Sequence, residues 1–111
     1  MKLLVLISLL YSSAQAFEIQ CSTQFENVLM ALKTSEMSNQ TYLLFLNESE
    51  VEKYYPLDTN QWRNNSKSFD FQDQDTEIHI DKNEMKGHII SSGFIFRNES
   101  MIQLSACVEY P

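Results

Sequence analysis

Glycine, proline and cysteine are scarce in this chain of 111 residues, with two of each. Only Gly87 and Gly93 are present, so there is no glycine-rich segment to cradle a phosphate and no Gly-x-Ser-x-Gly elbow to present a serine nucleophile. Basic residues are also few. Eight Lys and Arg face 15 Asp and Glu, for a net charge of −7, and the basic residues are scattered singly. A phosphate backbone needs clustered Lys and Arg, so nucleic acid is excluded as a partner, and the same sign disfavours docking on an anionic lipid surface. Past the first ten residues no apolar run approaches the ~20 residues that cross a bilayer, so no stable membrane anchor is expected. The chain has room for one domain and shows no self-similar period, which excludes a repeat array. Apolar content of 43% excludes global disorder.

The first 16 residues have the pattern of a secretory signal peptide. Lys2 supplies the positive start, Leu3 to Leu10 is an apolar run broken only by Ser8, and Ala14-Gln15-Ala16 is a small-x-small cleavage site. The organisation expected is a signal peptide at 1–16 and a single β-rich domain at 17–111, in an extracytoplasmic compartment, either secreted or periplasmic. In an oxidising compartment the two cysteines have one intramolecular pairing, Cys21 to Cys107. That bridge would close nearly the whole mature chain into one loop, which is worth about 4–5 kcal/mol by chain-entropy arithmetic. Four glycosylation triplets begin at Asn39, Asn47, Asn64 and Asn98. They would be glycan acceptors in a eukaryotic secretory pathway and would carry no meaning in a bacterium.

Hydrophobic alternation of period two dominates the C-terminal half. Ser68 to Gln72, Glu77 to Asp81, Lys86 to Ser91, Phe94 to Arg97 and Met101 to Tyr110 read as five strands of an antiparallel meander, separated by turns at Asp73-Gln74-Asp75, Lys82 to Met85, Ser92-Gly93 and Asn98-Glu99-Ser100. Strand parity then pairs Phe69 with Ile78, Ile78 with Ile89, Ile89 with Phe96 and Phe96 with Ile102. In the last strand Ile102, Leu104, Ala106, Val108 and Tyr110 fall on one face, and Met101, Gln103, Ser105, Cys107 and Glu109 on the other. That puts Cys107 on the polar face while Cys21 lies with Phe17 and Ile19. A bulge, a second sheet covering the polar face near the termini, or a bridge between two layers would reconcile them.

The N-terminal half is less legible. Phe17 to Cys21 and Val51 to Tyr55 read as strands, the second stopped by Pro56, and Tyr42 to Leu46 as a central buried strand. Val28 to Leu32 favours a strand, although Thr23-Gln24-Phe25-Glu26 resembles a helix capping box. Thr59 to Asn65 reads as a polar loop. The fold class expected is mostly β, a small antiparallel sandwich or partly open barrel. The alternative is α+β with one helix near residues 24–33.

Three constellations could carry function. His79 falls opposite His88, with Glu77 and Asp70 on the same polar face and paired with each other, a nitrogen and oxygen set suited to Zn²⁺ or Cu²⁺; Arg97 would flank His88 and oppose a cation. Against this stands an ordinary solvated sheet face. Asp73, Asp75 and Glu77, with Glu84, echo a calcium loop, but Ile78 stands where the sharp turn requires glycine. Tyr54, Tyr55 and Trp62 could form a recognition patch, or simply cap one end of a small core. The expected function is a non-catalytic binding protein for an unidentified protein or small ligand. A metal or ligand carrier using His79 and His88 is the rival class, and a small secreted hydrolase a third. No cofactor is called for.

Overall fold

A computed structural model of the protein describes residues 17–35 and 40–110. The leader pattern at 1–16 and the glycosylation acceptor Asn39 fall outside the described residues. Within them there is no helix. Nine strands form one antiparallel sheet: β1 (Glu18–Ser22), β2 (Val28–Thr34), β3 (Thr41–Asn47), β4 (Glu50–Leu57), β5 (Trp62–Asn64), β6 (Ser68–Gln72), β7 (Thr76–Asp81), β8 (Lys86–Ser91) and β9 (Met101–Tyr110). Their order is β4-β3-β2-β1-β9-β8-β7-β6-β5, curled into a nearly closed barrel. Its two edge strands, β4 and β5, are joined by the four residues Asp58 to Gln61.

The strands form where side chains alternate. Val28, Met30, Leu32 and Thr34 of β2 are buried while Leu29 and Lys33 are exposed. That period of two decides against the helix at 24–33. Thr23 does accept a hydrogen bond from the Phe25 N–H, but it closes a turn, not a helix. Pro56 does not stop β4, which runs on to Leu57. On an edge strand the missing N–H has no ladder partner to lose. The inward residues of both halves make one core, with Phe45, Phe69, Ile78, Ile80, Ile89 and Ile102 wholly buried.

The C-terminal meander has five strands, but not the five expected. Phe94 to Arg97 is not a strand. β8 pairs directly with β9, so Ile89 faces Ile102 instead of Phe96. Ile95 and Phe96 are both buried, which a strand with one solvated face cannot achieve for successive residues. Positive φ at Arg97 and Asn98 turns the chain there, and the loop packs against β3 and β4. The Phe96 ring stacks on Phe45 with centroids 4.4 Å apart, Arg97 makes a bidentate pair with Glu52 at 2.7 and 2.9 Å, and the Tyr55 hydroxyl donates to the Ile95 carbonyl. The fifth strand is β5, in the segment read as a polar loop, where Trp62 pairs with Phe71. The β6–β7 register also moves by two residues. The Asp73 carboxylate accepts the N–H groups of Asp75 and Thr76, and this tight turn sets Phe71, not Phe69, opposite Ile78.

A bulge in β9 reconciles the cysteines. Gln20 pairs with Val108 and Ser22 with Ser105, so β9 carries one extra residue over that interval. Ala106 absorbs it at φ 50°. Before the bulge Ile102 and Leu104 point inward. After it Cys107 does, and Val108 and Tyr110 turn out to solvent. The Cys21–Cys107 disulfide therefore joins adjacent strands inside the core. Beyond it Glu109 accepts hydrogen bonds from Lys82 at 2.7 Å and Asn64 at 2.9 Å, tying the end of β9 toward β5. Burial alone would raise the Glu109 carboxyl, but those two donors hold it below the usual carboxylate range.

The β3–β4 hairpin turns on Glu48 and Ser49, at φ 51° and 73°, between the paired residues Asn47 and Glu50. Positive φ at both positions fits a type I′ turn, which favours Asn-Gly. Ser49→Gly in unglycosylated protein is expected to stabilise the fold by about 0.5–1 kcal/mol, since relief of the left-handed strain outweighs the added chain entropy. Thermal unfolding followed by circular dichroism checks this; a lowered midpoint would mean the turn carries no strain.

Candidate functional site

Two outward surfaces stand apart from the core. On the β5–β9 half, the register lines up Arg63, Asp70, His79, His88 and Gln103 in one row across five strands. The two-residue shift in β6 places Asp70 opposite His79, where Glu77 had been expected opposite Asp70; Glu77 instead faces Gln72 and Ile90. His79 opposite His88 is as the parity argument gave it. Asp70 Oδ1 lies 2.5 Å from His79 Nδ1, and Glu77 Oε2 lies 3.3 Å from His88 Nε2. The two imidazole centroids are 5.8 Å apart, inclined at 41°. Burial would raise the Asp70 carboxyl; hydrogen bonds from Ser68 and His79 overcome it and hold the group below its ordinary range.

A groove of about 530 Å³ runs over this row, bordered by Asn60, Gln61 and Arg63 on one side and by Glu77 and His88 on the other. Among the described residues no three His, Cys, Asp or Glu side chains are grouped so that they could hold a metal ion together. Arg97 does not flank His88, because the loop that carries it folds toward β4 and Glu52. Gln103 stands beside His88 in its place. No helix flanks Asp73 to Glu84, which forms a hairpin rather than a calcium loop.

The second surface is the outer face of the N-terminal half. Register places Val108, Gln20, Ala31, Leu44 and Tyr54 in one row, and Leu29, Leu46 and Val51 in the next. Tyr54 is 60% exposed, Val51 52% and Leu29 42%. The Tyr42 and Tyr54 rings meet edge to face at 6.2 Å. Acidic residues border one end, where a groove of about 390 Å³ runs past Leu29 and Leu46 to Glu48. Glu50 stands at the same hairpin.

The proposed aromatic patch is divided by the fold. Tyr54 faces out. Tyr55, one residue on, takes the opposite face, where burial raises its hydroxyl above the ordinary tyrosine range. Trp62 packs inward, its ring 5.3 Å from Phe17 and 5.9 Å from Phe69, and its indole nitrogen has no hydrogen-bond partner among the described residues. Sequence motifs do not mark out the outer residues Leu29, Tyr42, Leu44, Leu46 and Val51. A signal was there: Tyr42 to Leu46 is apolar at every position, so a strand with one face on the core must expose apolar side chains on the other.

The glycosylation triplets also separate. Asn98 is exposed in a turn at φ 62°. Asn64 directs its amide to Glu109 and Asn47 to Glu52. No family model matches this chain, and searches of curated proteins and of solved structures return no match. No helix among the described residues is long and apolar enough to cross a membrane.

Proposed function

We propose that this protein is a non-catalytic, exported interaction domain that binds a protein partner through the outer face of β2, β3 and β4. One observation carries the reading: on one outer face Leu29, Val51 and Tyr54 are exposed around the half-buried Leu44 and Leu46, and apolar surfaces of this kind on small domains mark interaction sites. The leader pattern and the disulfide support export. The partner's chemistry follows from charge. Glu48 and Glu50 border the face and the chain carries −7 overall, so the fitting partner has an apolar centre and a basic margin. A second copy would bring like charges together.

The test is biolayer interferometry of the oxidised protein against purified extracellular domains that span a range of net charge. Saturable binding to a basic member is expected, weakened by added salt and reduced about 100-fold by Val51→Ser with Tyr54→Ser, at unchanged thermal midpoint. Binding indifferent to that double change would refute the reading. A dimer in sedimentation that the same double change dissociates would reassign the face to self-association.

A further inference from the structure

A paired-imidazole site lies on the opposite half of the barrel from the apolar face, and it is independent of the reading above. We propose that His79 and His88 chelate one borderline divalent transition-metal ion, Cu²⁺ or Zn²⁺, with Asp70 and Glu77 orienting the two rings and water completing the coordination.

The ring geometry suits a shared ion. A metal–nitrogen bond of about 2.0–2.1 Å places the centroid of a ligating imidazole about 3.2 Å from the ion, so two rings at a tetrahedral angle stand about 5.2 Å apart and a widened angle of about 130° brings them to about 5.8 Å. The observed separation is 5.8 Å.

The hydrogen bonding suits it as well. Metal-ligating histidines commonly give their other ring nitrogen to a carboxylate, which fixes the tautomer and turns the ligating nitrogen toward the metal. Here Asp70 takes Nδ1 of His79 and Glu77 takes Nε2 of His88. That leaves Nε2 of His79 and Nδ1 of His88 free to donate lone pairs.

The backbone holds the pair together. A Cβ on Gly87 would come within 2.0 Å of the His79 carbonyl oxygen, so β8 lies against β7 more closely than any side chain at position 87 would allow. His88 is the next residue.

Charge and space agree. The two carboxylates offset a dication. Arg63 is in the same row, but Asp70 stands between it and His79, and the neighbour of His88 on the far side is the neutral Gln103. The groove above the row has room for an ion and its waters. With only two protein ligands, binding should be moderate and follow the order in which Cu²⁺ exceeds Zn²⁺.

The experiment is isothermal titration of the oxidised protein with CuCl₂ and with ZnCl₂, alongside imidazole-detected NMR in Zn²⁺. One ion per chain is expected, Cu²⁺ tighter than Zn²⁺, with the His79 and His88 resonances moving together. Either His→Ala change should weaken binding at least about tenfold, and Asp70→Asn about tenfold with the thermal midpoint in the absence of metal retained. The double variant His79→Gln with His88→Gln, verified as folded by circular dichroism, should abolish uptake. Absence of saturable binding up to millimolar ion, uptake that survives in the folded double variant, or movement of one imidazole alone would overturn the proposal.

Discussion

Replacing Cys21 and Cys107 together by alanine is expected to lower the unfolding free energy by about 4 kcal/mol. The bridge spans 86 positions, nearly the whole of the described chain. In the chain-entropy account a loop of that length removes about 4–5 kcal/mol of denatured-state freedom. Both side chains are almost wholly buried, and alanine leaves no hydroxyl stranded in the core as serine would. Small domains have total stabilities of roughly 5–15 kcal/mol, so the loss is a large share. For a domain of this size each kcal/mol moves the midpoint by about 4–8 °C, and a fall of roughly 15–30 °C should follow. Urea unfolding of the double variant, beside the unaltered protein with and without reductant, measures it. A difference under about 1 kcal/mol would mean that the bridge closes a loop already constrained when unfolded.

Gly87→Ala is expected to cost about 3 kcal/mol or more, an unusually large effect for the addition of one methyl group. The new Cβ would lie 2.0 Å from the His79 carbonyl oxygen and 2.8 Å from the Ile80 Cα. Both are backbone atoms, so no rotamer change relieves the contact. β7 and β8 must separate, which strains the pairing of Ile78 with Ile89 in the core and of His79 with His88 on the surface. Gly93→Ala is the internal control. Nothing stands within 4 Å of its added methyl, and a change within about 0.5 kcal/mol is expected. Equal effects at the two glycines, measured by thermal or chemical unfolding, would contradict the close approach of these strands.

The candidate surfaces differ in how readily the sequence discloses them. The pairing of His79 with His88 followed from parity and the four-residue loop between their strands. The partner of Asp70 did not. It depended on whether Asp73 begins the turn or ends the strand, and its carboxylate settles that by accepting two backbone N–H groups. The strand-like composition of Phe94 to Arg97 points Arg97 toward His88, on the wrong side of the molecule, whereas it pairs with Glu52. The two central residues of that segment are both buried, Phe96 against Phe45 and Phe25, a tertiary demand that no local pattern announces.

What the sequence determined by itself was the β architecture, the identity of the only two cysteines that could pair, and one register of the meander, that of β7 on β8. Each depends on short-range periodicity or on simple counting. What tertiary structure alone decided was the direction of Cys107, the inward packing of the half-buried Trp62 and Tyr55, and the exposure of Leu29 and Val51 on the strands flanking β3. These depend on one extra residue in β9 and on which faces of a curled sheet find a covering layer. The reason is geometric: alternation tells which residues share a side, while a single inserted residue or an uncovered edge determines whether that side meets the core or water.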